Sequence, residues 1–271
     1  NQGTAIIDAH DHFGQVASVE AMNKAMTLAK EFGISIVTVK NSSHFGIAGY
    51  YAQMAAKQDL IGLAMTNTAP LVVPTGGCQA VIGTNPLAVS VPTKTQPWSM
   101  DCAQSIVPRG RIEVAERNQE TLPPEWAVDG QGQPCTDPTQ VLKGLANRSE
   151  GGICPLGGHK GYGLIMMIDI LSGVLSGAGY GLHVDEHLQA EMGHCFIAID
   201  IERFMPISEF KQRMQDFSEM LKAAAAPGQQ VWLHGEIENQ RRQENLELGI
   251  PFEDQHIEIL NKIAEEYGLI L

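Results

Sequence analysis

The sequence predicts an α/β fold, and three neighbouring features predict it. Ser18 to Phe32 places Met22, Met26 and Ala29 on one stripe, the spacing of an amphipathic helix, with Gly33 as its stop. Ile34 to Lys40 (ISIVTVK) is almost wholly β-branched and reads as a buried strand. A second helix, from about Ile47 to Gln58, and a second strand, Ile61 to Asn67, follow at once. Helix and strand alternating at this pace indicate an α/β architecture.

The remaining elements follow in order. Ala5 to Ile7 is a short apolar run ending at Asp8, read as a strand end turning into the helix at Ser18. The Gly/Pro-rich stretches APLVVPTGG and VIGTNP are turns, and Leu87 to Thr93 is a further strand. A helix starts at Pro108, whose fixed φ suits a first turn. Leu122 to Thr139, rich in Pro, Asp and Gly, is expected to be an extended loop. The segment GYGLIMMIDILSGVLSG is apolar nearly all round, which predicts a helix buried against other elements. Cys195 to Ile201 is another strand, and the tail is helical over Ile207 to Ala224, Glu236 to Leu248 and Asp254 to Tyr267. With no internal repeat and no low-complexity linker, residues 1–271 are expected to form a single unit.

Net charge is −13 and the pI is near 5.1, so phosphate backbones and anionic membranes are unfavourable partners. A small anionic ligand then needs a local cationic pocket. The cysteines Cys78, Cys102, Cys135, Cys154 and Cys195 are odd in number and lack a CxxC pair, which suits a reducing compartment. No signal peptide is visible, and Leu164 to Leu175 is too short to span a bilayer. A cytoplasmic location is expected.

Several segments carry candidate chemistry. In AIIDAHDHFG (Ala5 to Gly14), His10 and His12 stand two apart, and in an extended strand both imidazoles face one side, as a metal site requires. Further ligands are not evenly spaced, however: His183, His187 and His194 gather in a polar segment with Asp185 and Glu186. The plainer reading is two histidines in a turn, and no metal is expected. In VTVKNSSHFGIAGYYAQMAA a buried strand runs into a loop bearing His44, then Gly46 and a small-residue helix. Such loops on rigid scaffolds hold active-site groups, and an imidazole can give or take a proton near neutrality. The alternative is a histidine that only hydrogen-bonds its loop. PLGGHKGYGL (Pro155 to Leu164) joins four glycines and Lys160 to a helix start, an arrangement suited either to an anion or to tight packing. It has neither Walker A nor GxGxxG spacing, so a Rossmann site is not supported. SMDCAQS puts Asp101 at a strand end, and HGEIENQRR puts Gly235 and Glu236 at a helix start.

Taken together, NSSHFGIAGYYA, TNTAPLVVPTGG, IGTNPLAVSVP, WAVDGQGQPCTDP and PLGGHKGYGL resemble, in order and over essentially the whole chain, the malate/L-lactate dehydrogenase family of the non-Rossmann type. Ureidoglycolate and sulfolactate dehydrogenases belong to it. The resemblance implies a mixed sheet flanked by helices, with a cofactor-binding core over about residues 8–205 and a helical part over about 206–271. It also implies a homodimer and reversible hydride transfer between NAD or NADP and C2 of a small 2-oxo or 2-hydroxy acid. It assigns acid/base chemistry to His44 and cofactor contacts to Thr68, to Asp101, Cys102 and Ala103, to Lys160, and to His234, Gly235 and Glu236. In the family pattern Thr68 is commonly Ser, Cys102 is Met and His234 is Pro.

Two departures accompany the resemblance. Family members begin with a helical segment containing Ser-His-Gly and a nearby arginine that help form the substrate pocket, and residues 1–271 hold no equivalent. The substrate carboxylate still needs a cation, for which Lys40, Arg109 and Arg111 are the candidates. The alternative expectation is therefore a truncated, weakly active cofactor-binding or dimerisation remnant. The second departure is AQS followed by Pro108 and Arg109, where relatives often have ATS and Ala-Arg-Gly-Lys.

Overall fold

A computed structural model describes residues 2–147, 150–184, 191–252 and 254–269. Its order is β1 (Thr4–Asp8), α1 (Gly14–Phe32), β2 (Ile34–Ser42), α2 (Ala48–Ala56), β3 (Leu60–Thr66), β4 (Leu87–Val91) and β5 (Trp98–Cys102). Then come α3 (Arg109–Arg117), β6 (Ala127–Val128), α4 (Pro138–Asn147), β7 (Gly152–Ile153), α5 (His159–Asp169), β8 (Met192–Asp200), α6 (Ile207–Ala223), α7 (Glu236–Leu248) and α8 (Asp254–Glu266). The chain divides into two compact units, Asn1–Val231 and Trp232–Leu271.

In the first unit a six-stranded sheet has the order β1-β2-β8-β3-β4-β5. Only β1 and β2 are parallel neighbours; the other pairs are antiparallel, so the sheet is mixed, as expected. Period-two alternation sorts its side chains. Val37, Val39, Leu60, Ala64, Phe196 and Ala198 face α1 and α2. Ile36, Met65, Cys195 and Ile197 face Ile168 and Leu171 on the other side. Met22 and Phe196 are fully buried, and burial of such a side chain contributes about 1.5–3 kcal/mol each. α1 stops where expected, with Gly33 at φ 91° returning its N–H to the Ala29 carbonyl.

Three expectations need correction. The 122–139 stretch is not all loop: β6 pairs with β7, and α4 begins at Pro138, packing Val141 and Leu145 into a second core with Val72, Ile112 and Ile153. The long apolar segment is not buried all round. α5 passes at Asp169 into a π-helical turn, Ile170–Val174, and Leu164, Met167, Val174 and Leu175 are exposed. Buried Ile165 and Ile168 mark its inner face, so high apolarity here signals a two-sided surface. His194 does not belong to a polar surface segment; it lies inside β8, which starts three residues before the predicted strand, and is fully buried.

The second unit holds α7 and α8. Gly235, at φ 92°, precedes α7, and the Glu236 carboxylate accepts the Leu233 N–H at 2.9 Å, closing a tight turn before the helix. No helix of the described residues is long and apolar enough to cross a membrane.

Candidate active site

The pairing scheme makes β1, β2, β3 and β5 run in one direction. Their C-terminal ends, Asp8, Ser42, Thr66 and Cys102, therefore lie along one edge of the sheet. His44, Thr68, Asp101, Cys102 and Ala103, separated by up to 59 positions in sequence (103 − 44), all follow or end these strands. Loops held by a rigid edge are a regular place for binding and catalytic groups.

His44 sits in the loop between β2 and α2 and is exposed. Its Nδ1 accepts the Gly46 backbone N–H at 3.1 Å. An accepting Nδ1 puts the ring proton of neutral imidazole on Nε2, which then points its proton away from the loop. The loop is clamped from the side by α1: Gly14 N–H donates to Ser43 Oγ at 3.1 Å, and Ser43 Oγ donates to the His12 carbonyl. Gly14 has no room for a side chain, because a Cβ there would fall 2.1 Å from the Ser43 carbonyl oxygen and 2.9 Å from that of His44.

Asp101 meets the same corner from β5. Its Oδ2 accepts the Gly49 N–H at 2.6 Å, so it caps the start of α2, which carries the C-terminal side of the His44 loop. The residue presents surface to solvent, yet its carboxyl is packed against the helix start. Desolvation there raises its pKa, opposed by the bond from Gly49. Thr68 Oγ1 accepts the Thr84 N–H at 2.9 Å, and Asn85 Oδ1 accepts the Thr68 N–H at 3.0 Å. Leu156 N–H bonds to the Gln104 carbonyl, which ties the Pro155–Gly158 turn to the residues just after Ala103. That turn delivers α5 with Lys160 exposed at its start. Gly157 and Gly158 adopt φ of 60° and 64°, and a Cβ at either would meet nothing within 4 Å. A cavity of about 360 Å³ opens beside Gly158, lined by the 73–78 segment, Gln131, Gly132 and Cys154. His234, Gly235 and Glu236 lie in the second unit.

Buried polar residues behind this edge escaped the sequence reading. His194 bridges Thr66 Oγ1 at 2.7 Å and Ser42 Oγ at 2.8 Å and stacks on Phe45 at 4.6 Å. Burial pushes its pKa down to about 3, with the nearby His44 adding to that shift and backbone hydrogen bonds at Ser43 and Gly193 opposing it. Asn67 donates to Asp169 Oδ1 at 3.0 Å and accepts from Gly193 N–H at 2.9 Å, while Asp169 Oδ2 accepts the Gly181 N–H. Burial raises the Asp169 pKa, against hydrogen bonds from Asn67, Gly181 and Asn85. A polar residue inside an apolar strand or helix was the available signal, at GHCFIAIDI and LIMMIDIL.

The His10/His12 pair is not on a strand. His10 and Asp11 take φ of 50° and 61°, making a turn, and His10 leans toward Asp8 at 3.6 Å. Among the described residues no group of three or more His, Cys, Asp or Glu is placed to hold a metal ion. Asp185, Glu186 and His187 lie outside the described residues. Lys40 pairs with Asp8 at 3.6 Å and Arg109 with Glu113 at 2.9 Å, so two of the three candidate carboxylate cations have acidic neighbours. All five cysteines are free, and burial pushes the Cys195 thiol up to about 12.

Residues 1–261 match the family model for malate/L-lactate dehydrogenase. The chain belongs to the malate/L-lactate dehydrogenase family. A malate dehydrogenase of Pyrococcus abyssi is 43% identical over 270 residues, covering 98% of this chain and 75% of the relative. A ureidoglycolate dehydrogenase (NAD(+)) of Escherichia coli is 34% identical, covering 93% of this chain and 72% of the relative. The crystal structure of malate dehydrogenase from Entamoeba histolytica superposes with a TM-score of 0.94 at 33% identity, covering 100% of this chain and 79% of that one. The chain thus spans about three quarters of the length of these relatives. Named members of the malate/L-lactate dehydrogenase family use NAD(+) or NADP(+).

Proposed function

We propose that this chain transfers hydride between NAD(P)H and C2 of a small 2-oxo or 2-hydroxy acid, with His44 as the acid/base. The observation that carries the reading is the place of His44, exposed on a loop fixed at the strand edge beside Thr68 and Asp101. In reduction His44 acts as the imidazolium: it gives its Nε2 proton to the carbonyl oxygen of the oxo acid and is left neutral with its remaining proton on Nδ1. In the reverse direction the bare Nε2 of that neutral ring takes the hydroxyl proton, whereas the bond from Gly46 N–H to Nδ1 belongs to the resting tautomer, which carries its proton on Nε2. When bound, the nicotinamide supplies or accepts the hydride.

The residues present fit such a cofactor. Lys160 brings a cation to the start of α5, and open space over Gly157 and Gly158 lets a phosphate approach the backbone. Thr68, Asp101, Cys102 and Ala103 lie on the edge that carries His44, where they line the nucleotide in this reading. His234, Gly235 and Glu236 enter it through the family pattern alone. The relatives' names point to malate or ureidoglycolate as substrate models. The reading includes a cytoplasmic setting, for which the free cysteines speak. It also includes a homodimer. The exposed apolar side chains Met166, Ile170, Val174 and Leu175 offer a surface for it.

The test is a screen of 2-oxo acids against NADH and NADPH, followed by absorbance of the reduced nicotinamide, on the parent and on His44→Ala. Loss of a general acid/base lowers turnover by about 10²–10⁴-fold. The reading expects that loss with NADH binding, followed by fluorescence, largely intact. Near-parent turnover in His44→Ala removes the histidine from the mechanism.

A further inference from the structure

We propose that His194 and Ser42 are positioning residues for His44, acting through a β-bulge that turns Ser42 beneath the His44 loop. The inference rests on the assignment of His44 above and adds what holds it in place. Along β2, Val37 and Val39 face α1 and α2, so regular alternation would send Ser42 to the opposite side with Ile36. The register shifts instead: Val39 pairs with His194 and Ser42 with Met192, three steps on β2 against two on β8. One extra residue is accommodated, and Asn41 takes a left-handed φ of 50°. Its amide is tied to Asp8 Oδ1 at 2.9 Å. The bulge restores Ser42 to the face of Val39, where His194 also points. Bulges beside active sites re-aim side chains in this way.

His194 receives Ser42 on one ring nitrogen and Thr66, its cross-strand partner on β3, on the other. Each hydroxyl can give or take a proton, so either neutral tautomer satisfies both bonds. The ring stacks on Phe45 with an interplanar angle of 15°, and the Tyr51 hydroxyl donates to the Phe45 carbonyl. Residues 42 and 45, on either side of the Ser43–His44 pair, are thus both fixed to one buried imidazole. His44 itself keeps Nε2 free because the anchoring is done by its neighbours. This arrangement is dear to maintain: a fully buried histidine requires both nitrogens satisfied, and Phe45 and His194 leave no room for water between them. A core residue that served packing alone would be apolar here.

The experiment compares Ser42→Ala, His194→Phe, His194→Gln, the Ser42→Ala/His194→Phe pair and His44→Ala. For each, kcat, KM for the oxo acid, the dissociation constant of NADH and the thermal midpoint are measured. Misplacement of a reacting group by about 1 Å costs up to about a hundredfold in rate. Ser42→Ala and His194→Phe are each expected to lower kcat by about ten- to a hundredfold, with NADH affinity within about twofold. The pair should be no worse than its worse member, since both cut one link. His194→Gln, whose amide reaches the Ser42 hydroxyl, should regain part of the loss without matching the parent's thermal midpoint. Ser42→Ala turning over like the parent, or losses that multiply in the pair, overturn the inference. If His194→Phe does not fold, Ser42→Ala and His194→Gln decide it. His44→Ala separates the two levels: an inactive His44→Ala beside an unimpaired Ser42→Ala sinks only the positioning role, whereas an active His44→Ala sinks both.

Discussion

At Gly14 an added methyl group would fall 2.1 Å from the Ser43 carbonyl oxygen, whereas at Gly157 it would meet nothing within 4 Å. Both glycines border candidate site residues in the first unit, and they differ in purpose. Around His44 the loop is held on its inner side: α1 presses on it, Asp101 caps α2, and His194 anchors the strand end, while its outer side stays open at Gly46. Around Lys160 the turn is tied to the sheet edge through Leu156 to Gln104 and closed on itself by Gly158 to Pro155 and Gly161 to Leu156, while the space over Gly157 and Gly158 is open. A proton-transfer group needs fixed geometry, because its efficiency depends on distance. A phosphate contact needs reach and open backbone, which glycines provide. The contrast separates a corner that aims a side chain from a corner that leaves space.

Titration of the tight corner is expected to give the largest effect. Burial holds the His194 pKa near 3, below its ordinary 6.5. The native protein therefore resists a proton that the unfolded chain accepts. The contribution is fully present above pH 6.5 and is lost as pH falls toward 3, by about 1.4 kcal/mol per pH unit. Urea denaturation of the parent and His194→Gln from pH 7 to pH 4 should show this slope in the parent and its absence in the variant. Equal acid limbs would mean the histidine is charged or solvated in the folded protein.

Gly14→Ala comes next. The added carbon cannot avoid the Ser43 carbonyl, and overpacking of this kind costs about 1–3 kcal/mol. Turnover should fall more than the stability loss explains, because the displaced atoms carry His44. A variant with reduced thermal midpoint but unchanged kcat would show that the clamp and the chemistry are independent.

The smallest effect belongs to the open corner. Lys160→Ala should weaken NADH binding by about tenfold, or about 1.4 kcal/mol, with kcat nearly unchanged and the remaining affinity less sensitive to salt. A loss of kcat at unchanged affinity would move Lys160 from cofactor binding to chemistry.

Much of this was legible in the sequence for reasons that can be named. Strands such as ISIVTVK carry their own β-branched signal, and Gly33 announces the end of α1, so the end of α1 and the start of β2 were found where they lie, although α1 begins at Gly14 rather than Ser18 and β2 runs on to Ser42. The loop bearing His44 was legible because a buried strand ran into it. The anchoring beneath it was not. The bulge at Asn41 is a backbone event set by pairing with β8, 150 residues away, and no local propensity encodes it. His194 stood outside the predicted strand because its polarity masked the apolar period, although burial and two hydroxyl partners make it part of the core. The α5 segment misled in the other direction, since apolar content does not distinguish a buried helix from one that keeps an exposed apolar face.

The most direct measurement is a crystal structure with reduced cofactor and an unreactive 2-oxo acid analogue. The account predicts His44 Nε2 within about 2.6–3.2 Å of the oxygen on C2. An analogue bound elsewhere on the sheet, with the imidazole beyond reach of that oxygen, would contradict it.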